Sequence, residues 1–430
     1  MNRNYVFDFD STLTRVEALD VLAEITLEEN PNKDAIIQEI IDITNLGIDG
    51  EISFTESLEK RIKLLQAKKS DLPLLIKELK KKVSPSIERN NEFFEKYANS
   101  IYVISAGFKE FIIPIVAAYN IPADRVFANT FEFDKNDCIV GFDRKNSLSV
   151  HNGKIQCLRD LNLQGEIQVI GDGYSDYVTR EAGIAHKFFA YTENVYRDKT
   201  TQNADFIAPN LDEFLFVNKL PRSISYPKNR IQILLFDDVK TEVATLFSDE
   251  GFSVEIISKD SSDNTILEKL QNVHILGIQS IKVTNSIINA ADKLLAIGDF
   301  SSVKNNINSA VCREKGIVVF KAKKSIKNCT KTILNFINSG DTIGALNFPN
   351  IKLPATKNTH RFLHIHKNVP GVMATINKVL VNSKRNITAQ YLSTDKSIGY
   401  VMTDIDKEYN STLIKNLKNV EGTIKFRVLY

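Results

Sequence analysis

The 430-residue sequence is poor in cysteine and has almost no excess of one charge. Its four cysteines (Cys138, Cys157, Cys312, Cys329) lie far apart and form no Cys-x-x-Cys pair, which excludes a disulfide-framework peptide. They read as reduced thiols, and the expected location is cytoplasmic. Lys+Arg exceeds Asp+Glu by 55 − 53 = 2, so the charge balance argues for no nucleic-acid partner and no membrane partner. No apolar run approaches the ~20 residues of a membrane span. The first apolar residues meet Asp8 too soon to form the apolar region of a signal peptide. No repeat or low-complexity tract stands out, and nothing reads Gly-x-Gly-x-x-Gly, so no dinucleotide fingerprint can be built.

What is present is an ordinary mixture, 43% hydrophobic and 25% charged, which excludes a disordered or collagenous chain. The length predicts two to four domains. Residues 1–219 read as α/β, with apolar runs at 5–9, 101–104 and 167–170 as buried parallel strands. Residues 15–86 have helical patterning without a strand candidate, the pattern of a helical cap inserted after the first strand. Ser53 and Glu56 have the spacing of a capping box. Residues 127–142, with Asp134-Lys135-Asn136-Asp137 at their middle, predict a β-hairpin. Residues 220–230, with two prolines, read as a linker. Strand candidates then alternate with helical patterns through residues 231–354, predicting a second α/β domain of flavodoxin-like type. Residues 358–430 read strand, helix, strand, strand, helix, strand, a ferredoxin-like βαββαβ domain.

Three strands of the first domain end in chemically useful groups: Asp8-Phe9-Asp10-Ser11-Thr12, Ser105-Ala106-Gly107, and Gly171-Asp172-Gly173-Tyr174-Ser175-Asp176. Ligands of open parallel sheets sit at the carboxyl ends of strands, so these segments are expected to converge. Carboxylates from two strand ends suit Mg²⁺. A serine hydroxyl, backbone amides near glycine and a lysine, Lys154, suit phosphate. Asp8 is then placed as nucleophile and Asp10 as general acid and base. Taken singly, each group has an ordinary reading: Ser105 as a helix N-cap, Lys154 as a solvated lysine, Gly-Asp-Gly-x-x-Asp as a strand-to-helix turn. The joint pattern points to Mg²⁺-dependent phosphoryl transfer.

These residues resemble the haloacid dehalogenase superfamily of phosphatases. Asp8-Phe9-Asp10-Ser11-Thr12-Leu13, Ser105, Lys154 and Gly171-Asp172-Gly173 with Asp176 match its four motifs in turn. Within it, the text looks like the phosphoserine phosphatases. That resemblance implies O-phospho-L-serine as substrate and L-serine as product, through an aspartyl-phosphate. Mg²⁺ would be held by Asp8, Asp10 (through its backbone carbonyl), Asp172 and Asp176. Glu17 would read the substrate ammonium and Arg61 its carboxylate, with Phe54 beside them and Ser105, Ala106, Gly107, Lys154 and Ser175 completing the substrate site. Without the resemblance, Glu17 favours a helix N-terminus and Arg61 a solvated face. Ser175 stands where the family usually has Asn, which puts substrate orientation in doubt. Rival readings are a phosphatase of another small phosphomonoester and a silent serine-sensing partner of a separate dehydrogenase.

The remainder resembles D-3-phosphoglycerate dehydrogenases, with the nucleotide-binding domain missing. Residues 231–236, 274–280, 288–298 and 343–349 carry the likeness to their substrate-binding domain. Gln279 replaces an arginine expected for substrate phosphate, and the family's catalytic Arg, Glu and His fall in the missing part. No dehydrogenase activity is expected. Residues 360–430 resemble the family's ACT domain, which implies L-serine as effector on His366, Asn368 and Asn386, and a homodimer or higher homo-oligomer formed through this domain. His364 is expected on the opposite face of the strand from His366.

Overall fold

The computed structural model describes residues 2–49, 51–224, 226–302, 307–323, 325–354, 359–406 and 411–429. Ser225 in the expected linker, residue 358 at the expected start of the last domain, and Tyr430 lie outside the described residues. The chain divides into two compact units, Met1–Ser223 and Ile224–Tyr430. The boundary falls within the segment read as a linker.

The first unit is built on a parallel sheet. Its strands are β1 (Arg3–Phe7), β2 (Ile101–Phe108), β3 (Val126–Asn129), β6 (Glu166–Gly171), β7 (Lys187–Tyr191) and β8 (Phe206–Ala208). A separate hairpin pairs β4 (Phe131–Phe133) with β5 (Ile139–Phe142). The sheet order β3-β2-β1-β6-β7-β8 puts β1 at the centre, with the chain running outward on both sides. Tyr5, Val6 and Phe7 are buried, as a strand covered on both faces requires. Tyr5 and Phe7 pack edge-on against Phe93 and Phe214 on one face.

Four helices of the cap, Ala18–Thr26, Lys33–Asp49, Phe54–Leu65 and Leu72–Lys80, follow β1. An antiparallel bridge between Thr14 and Val83 closes the base of this insertion. Ser53 Oγ accepts from Glu56 N at 3.2 Å and caps the third helix. The Glu56 carboxylate pairs with Lys60 at 2.8 Å. The cap meets the core where Thr55 Oγ1 donates to Ser149 O at 2.8 Å and Glu59 pairs with Arg144 at 2.8 Å. The hairpin expectation needs correction. Residues 126–129 join the main sheet beside β2, with Val126 opposite Val103, and only residues 131–142 form the hairpin. A short apolar run carries no record of which strand it will pair with.

The second unit holds two sheets. Strands β9 (Gln232–Phe236), β10 (Ser253–Ile257), β11 (Ile275–Ile278), β12 (Ala296–Asp299) and β13 (Val318–Lys321) are parallel in the order β10-β9-β11-β12-β13, the flavodoxin-like arrangement. Strands β14 (Thr359–Lys367), β15 (Ile387–Thr394), β16 (Ile398–Asp406) and β17 (Thr423–Leu429) are antiparallel in the order β15-β16-β14-β17, a ferredoxin-like sheet. One face of that sheet takes its own helices, with Phe362, Val401 and Ile405 against Ile376, Leu380 and Leu413. The other face, including Leu363, Ile365, Tyr400 and Met402, packs on Ile333, Phe336 and Ile337 of the helix Ile326–Ser339. That helix ends on Gly340 at φ +82°. A Cβ there would also lie 2.4 Å from Leu363 Cδ2, so glycine serves both the turn and the contact.

His364 and His366 lie on the same face of β14, their rings 6.2 Å apart and edge to face. This corrects the expectation of opposite faces: side chains of a strand repeat every second residue, so residues two apart point the same way.

Candidate active site

Strand register explains why segments 160 residues apart meet. Phe7 of β1 lies opposite Val103 of β2 and Ile170 of β6. Asp8, Ser105 and Asp172 therefore emerge at one edge, at the central strand where the chain switches direction.

Carboxylate oxygens of Asp8, Asp172 and Asp176 lie within 4.8 Å of one another. Lys154 Nζ reaches Asp8 Oδ2 at 2.9 Å and Asp176 Oδ1 at 2.7 Å. Burial works against the Lys154 charge, but Asp176 and Asp8 outweigh it and raise its pKa above the ordinary lysine value. Burial, and then Asp8, push the Asp172 carboxyl up to about 6. Gly171 has no room for a side chain, since a Cβ would stand 2.3 Å from Asp176 Cγ. Three acidic oxygen donors drawn together in a buried site fit a hard divalent cation such as Mg²⁺.

The segment after β1 turns sharply. Ser11 sits in the left-handed region at φ +55°, and the turn parts the two aspartates. Asp8 faces Lys154, whereas Asp10 Oδ1 accepts from Ala18 N at 2.8 Å. Asp10 Oδ2 and Ser105 Oγ both border Gly107, 3.1 and 3.2 Å from where its Cβ would stand. Gly107 N donates to Ser105 Oγ at 3.0 Å. Burial and the neighbouring Glu17 raise the Asp10 pKa well above the usual carboxylate value, which suits a proton donor. Asn129 Nδ2 donates to Ala106 O at 2.8 Å and fixes the end of β2.

The cap lays a second polar cluster beside Asp10. Ser11 Oγ donates to Glu17 Oε1 at 2.9 Å. Arg61 is buried, so the solvated-face reading fails for it. Burial lowers its pKa, while Glu17, Asp20 and Asp10 act to hold its charge. Phe54 is half-buried on the same helix. Ser175 is exposed at the start of the helix Tyr174–Glu181.

Three contributors escaped the sequence reading. Arg197 Nε donates to Asp172 Oδ2 at 2.9 Å, Asp20 adds a carboxylate near Arg61, and Asn194 grips the turn after β1. Asp20 sits one helical turn after Glu17, a spacing that does signal a shared face. Arg197 and Asn194 lie in an irregular loop with no such signal.

The proposed effector residues do not meet within one chain. His366 is buried, with Nδ1 2.8 Å from Lys367 O, and Asn368 Nδ2 donates to Asp395 O at 2.5 Å. Asn386 precedes Ile387, which aligns through Ile405 with His360 at the other end of β14. Six residues of strand separate the two ends, about 20 Å.

This site and sheet define a class. Residues 5–179, within the first unit, match the haloacid dehalogenase-like hydrolase family. Its relatives include phosphoserine phosphatases. The human phosphoserine phosphatase is 28% identical over 212 residues, 49% of this chain and 90% of that protein. A crystal structure of a phosphoserine phosphohydrolase-like protein from Francisella tularensis is 32% identical, covering 50% of this chain and 99% of that one, with a TM-score of 0.45. Residues 233–330 match the catalytic domain of D-isomer specific 2-hydroxyacid dehydrogenases, and residues 362–425 an ACT domain like that of the AHAS small subunit. The D-3-phosphoglycerate dehydrogenase of Dictyostelium discoideum is 48% identical over 98 residues, 23% of this chain and 24% of that protein. The chain spans about a quarter of the length of such dehydrogenases. Among the described residues, no helix is long and apolar enough to cross a membrane.

Proposed function

We propose that the protein is a Mg²⁺-dependent phosphoserine phosphatase that hydrolyses O-phospho-L-serine to L-serine and phosphate. One observation carries this reading: the Asp8, Asp172, Asp176 and Lys154 cluster adjoins a cap cluster of half-buried Glu17 and buried Arg61. One cluster suits phosphate and metal, the other an amino acid's ammonium and carboxylate.

Asp8 attacks phosphorus while Asp10 protonates the departing serine oxygen. Asp10 then takes a proton from water, which attacks the aspartyl-phosphate and frees Asp8 and phosphate. Lys154 and Ser105 hold the phosphate oxygens. Asp8, Asp172 and the Asp10 backbone carbonyl would hold Mg²⁺, with Asp176 in support, and the ion would offset charge on the phosphoryl group. Phosphate release from phosphoserine, with and without Mg²⁺, tests the reading; no release above background with the metal present overturns it.

The cap sets the substrate. Arg61→Lys keeps a buried charge and loses the planar fork, so KM for phosphoserine should rise about 10²-fold. Turnover of p-nitrophenyl phosphate, which has no amino-acid end, should change far less. Equal losses on both would remove Arg61 from substrate recognition.

We also read the ACT domain as an L-serine site on His366, Asn368 and Asn386, completed across a homodimer in which one copy's Asn386 meets the other's His366. The separation of these residues within one chain supports that reading. The remaining parts of the proposal are a cytoplasmic location and no dehydrogenase activity. L-Serine should then alter phosphate-release kinetics in the intact protein, and His366→Ala should abolish that change. Inhibition of the same strength in the variant would mean product binding in the cap alone.

A further inference from the structure

The cap joins the core through two backbone segments, residues 13–16 going out and 81–84 coming back. They are tied to each other by Arg15 N donating to Lys82 O at 2.8 Å and Ser84 N donating to Leu13 O at 2.9 Å. The outgoing segment is continuous with the turn carrying Asp8 and Asp10. Thr14 N donates to Phe9 O at 3.0 Å, and Ser11, in the left-handed region, supplies the hydroxyl held by Glu17. Nucleophile, proton donor and cap carboxylate thus share one short, tightly turned stretch, and its alignment depends on what holds its outward-facing carbonyls.

That holder is one side chain from a distant loop. Asn194, three residues after β7, directs its amide nitrogen at Ser84 Oγ (2.8 Å), Ser11 O (3.0 Å), Thr14 O (3.2 Å) and Thr12 O (3.4 Å). Ser84 Oγ in turn donates to Thr12 O at 2.7 Å. The residue before it, Glu193, accepts from Ser86 N at 3.1 Å and from the Ser86 hydroxyl. The same loop reaches the carboxylate cluster through Arg197 and Asp172. A single amide therefore connects the outgoing hinge, the returning hinge and the nucleophile turn. Every neighbour is an oxygen, so the group must be a donor; a carboxylate of the same shape would face three carbonyls with nothing to give.

We propose that Asn194 is a positioning residue that pins the cap hinge to the nucleophile turn. It touches no substrate and acts by fixing the cap cluster against Asp8 and Asp10. The proposal rests on the phosphatase reading for its kinetic consequence, but not for its structural one.

The test uses the full chain with Asn194→Ala and Asn194→Asp. Amide hydrogen exchange at Thr14, Arg15 and Ser84 should speed up about tenfold or more in both, while Val169 and Ile170 in β6 keep their protection. Equal acceleration at both places would mean general destabilisation and overturn the proposal. So would wild-type exchange in Asn194→Asp, because the isosteric variant keeps the packing and lacks only the donor. Kinetically, both variants should lose about tenfold in kcat/KM for phosphoserine relative to p-nitrophenyl phosphate, since only the first is read by the cap. An unchanged ratio, on an enzyme active toward phosphoserine, also overturns it. Should the wild type fail to hydrolyse phosphoserine, the proposed function falls and the exchange experiment still decides the hinge.

Discussion

Asp8→Asn should eliminate phosphate release, with a loss of about 10⁴-fold or more, because the attacking oxygen itself is removed. The fold should survive. Asn is the same size, Asp8 already has a side chain 12% exposed, and Lys154 keeps Asp176 at 2.7 Å. A near-unchanged melting temperature would separate lost chemistry from lost structure. Asp10→Asn makes the useful contrast. It spares the nucleophile and removes the proton donor, a group worth about 10²–10⁴-fold. Its slower second step should leave the Asp8-containing peptide phosphorylated in a mass spectrum, whereas Asp8→Asn should show no such peptide. Phosphate release by Asp8→Asn near the wild-type rate would remove Asp8 as nucleophile and the aspartyl-phosphate with it.

How far this site could be read in advance depended on the kind of partner each residue uses. Asp8, Asp172 and Asp176 follow strands and Ser105 lies in β2 just past the residues paired with β1, and parallel register brings such positions together whatever lies between them. Their convergence was therefore legible. Arg61 stands on a periodic helix, but its burial depends on the cap closing over Glu17 and Asp20, which periodicity alone does not specify. Asn194 and Arg197 were not legible. Their loop has no period, and Asn194 binds backbone carbonyls, which every residue possesses and no residue type announces. The stretch 126–129 failed for a related reason: its apolar residues fit a hairpin or a sheet edge equally well, and the choice lies with Val103 on the neighbouring strand. The order of the second unit's strands followed from alternating patterns, yet the packing of one sheet onto the helix Ile326–Ser339 did not, because both faces of β14 and β16 are apolar enough to be buried.

That packing carries the second large effect. Arg361→Ala should destabilise the second unit by about 3–5 kcal/mol, the usual cost of leaving one buried charge without its partner. Arg361 is 4% exposed. Its Nε and Nη2 donate to the two oxygens of Asp404 at 2.7 and 2.8 Å. Its remaining N–H groups donate to Ser339 O at 3.1 Å, Leu353 O at 2.7 Å and Pro354 O at 2.7 Å. Tyr400 OH donates to Gly340 O at 2.7 Å, and Arg427 Nη2 to Ile337 O at 3.0 Å. The antiparallel sheet thus supplies donors to carbonyls at the end of the helix Ile326–Ser339, groups that no helix can satisfy internally. Unfolding of the full chain should show a lower transition for the second unit and an unmoved one for the first. Replacing both partners, Arg361→Met with Asp404→Leu, should cost less than Arg361→Ala alone, since no unpaired charge remains in the interior. A single-variant loss below about 1 kcal/mol would place Arg361 among ordinary surface ion pairs. If the larger loss is found, the dehydrogenase-like segment has a physical reason to persist without its nucleotide-binding part. It covers Leu363, Ile365, Tyr400 and Met402 and accepts three bonds of Arg361, so its deletion would expose an apolar sheet face and leave those N–H groups without their acceptors.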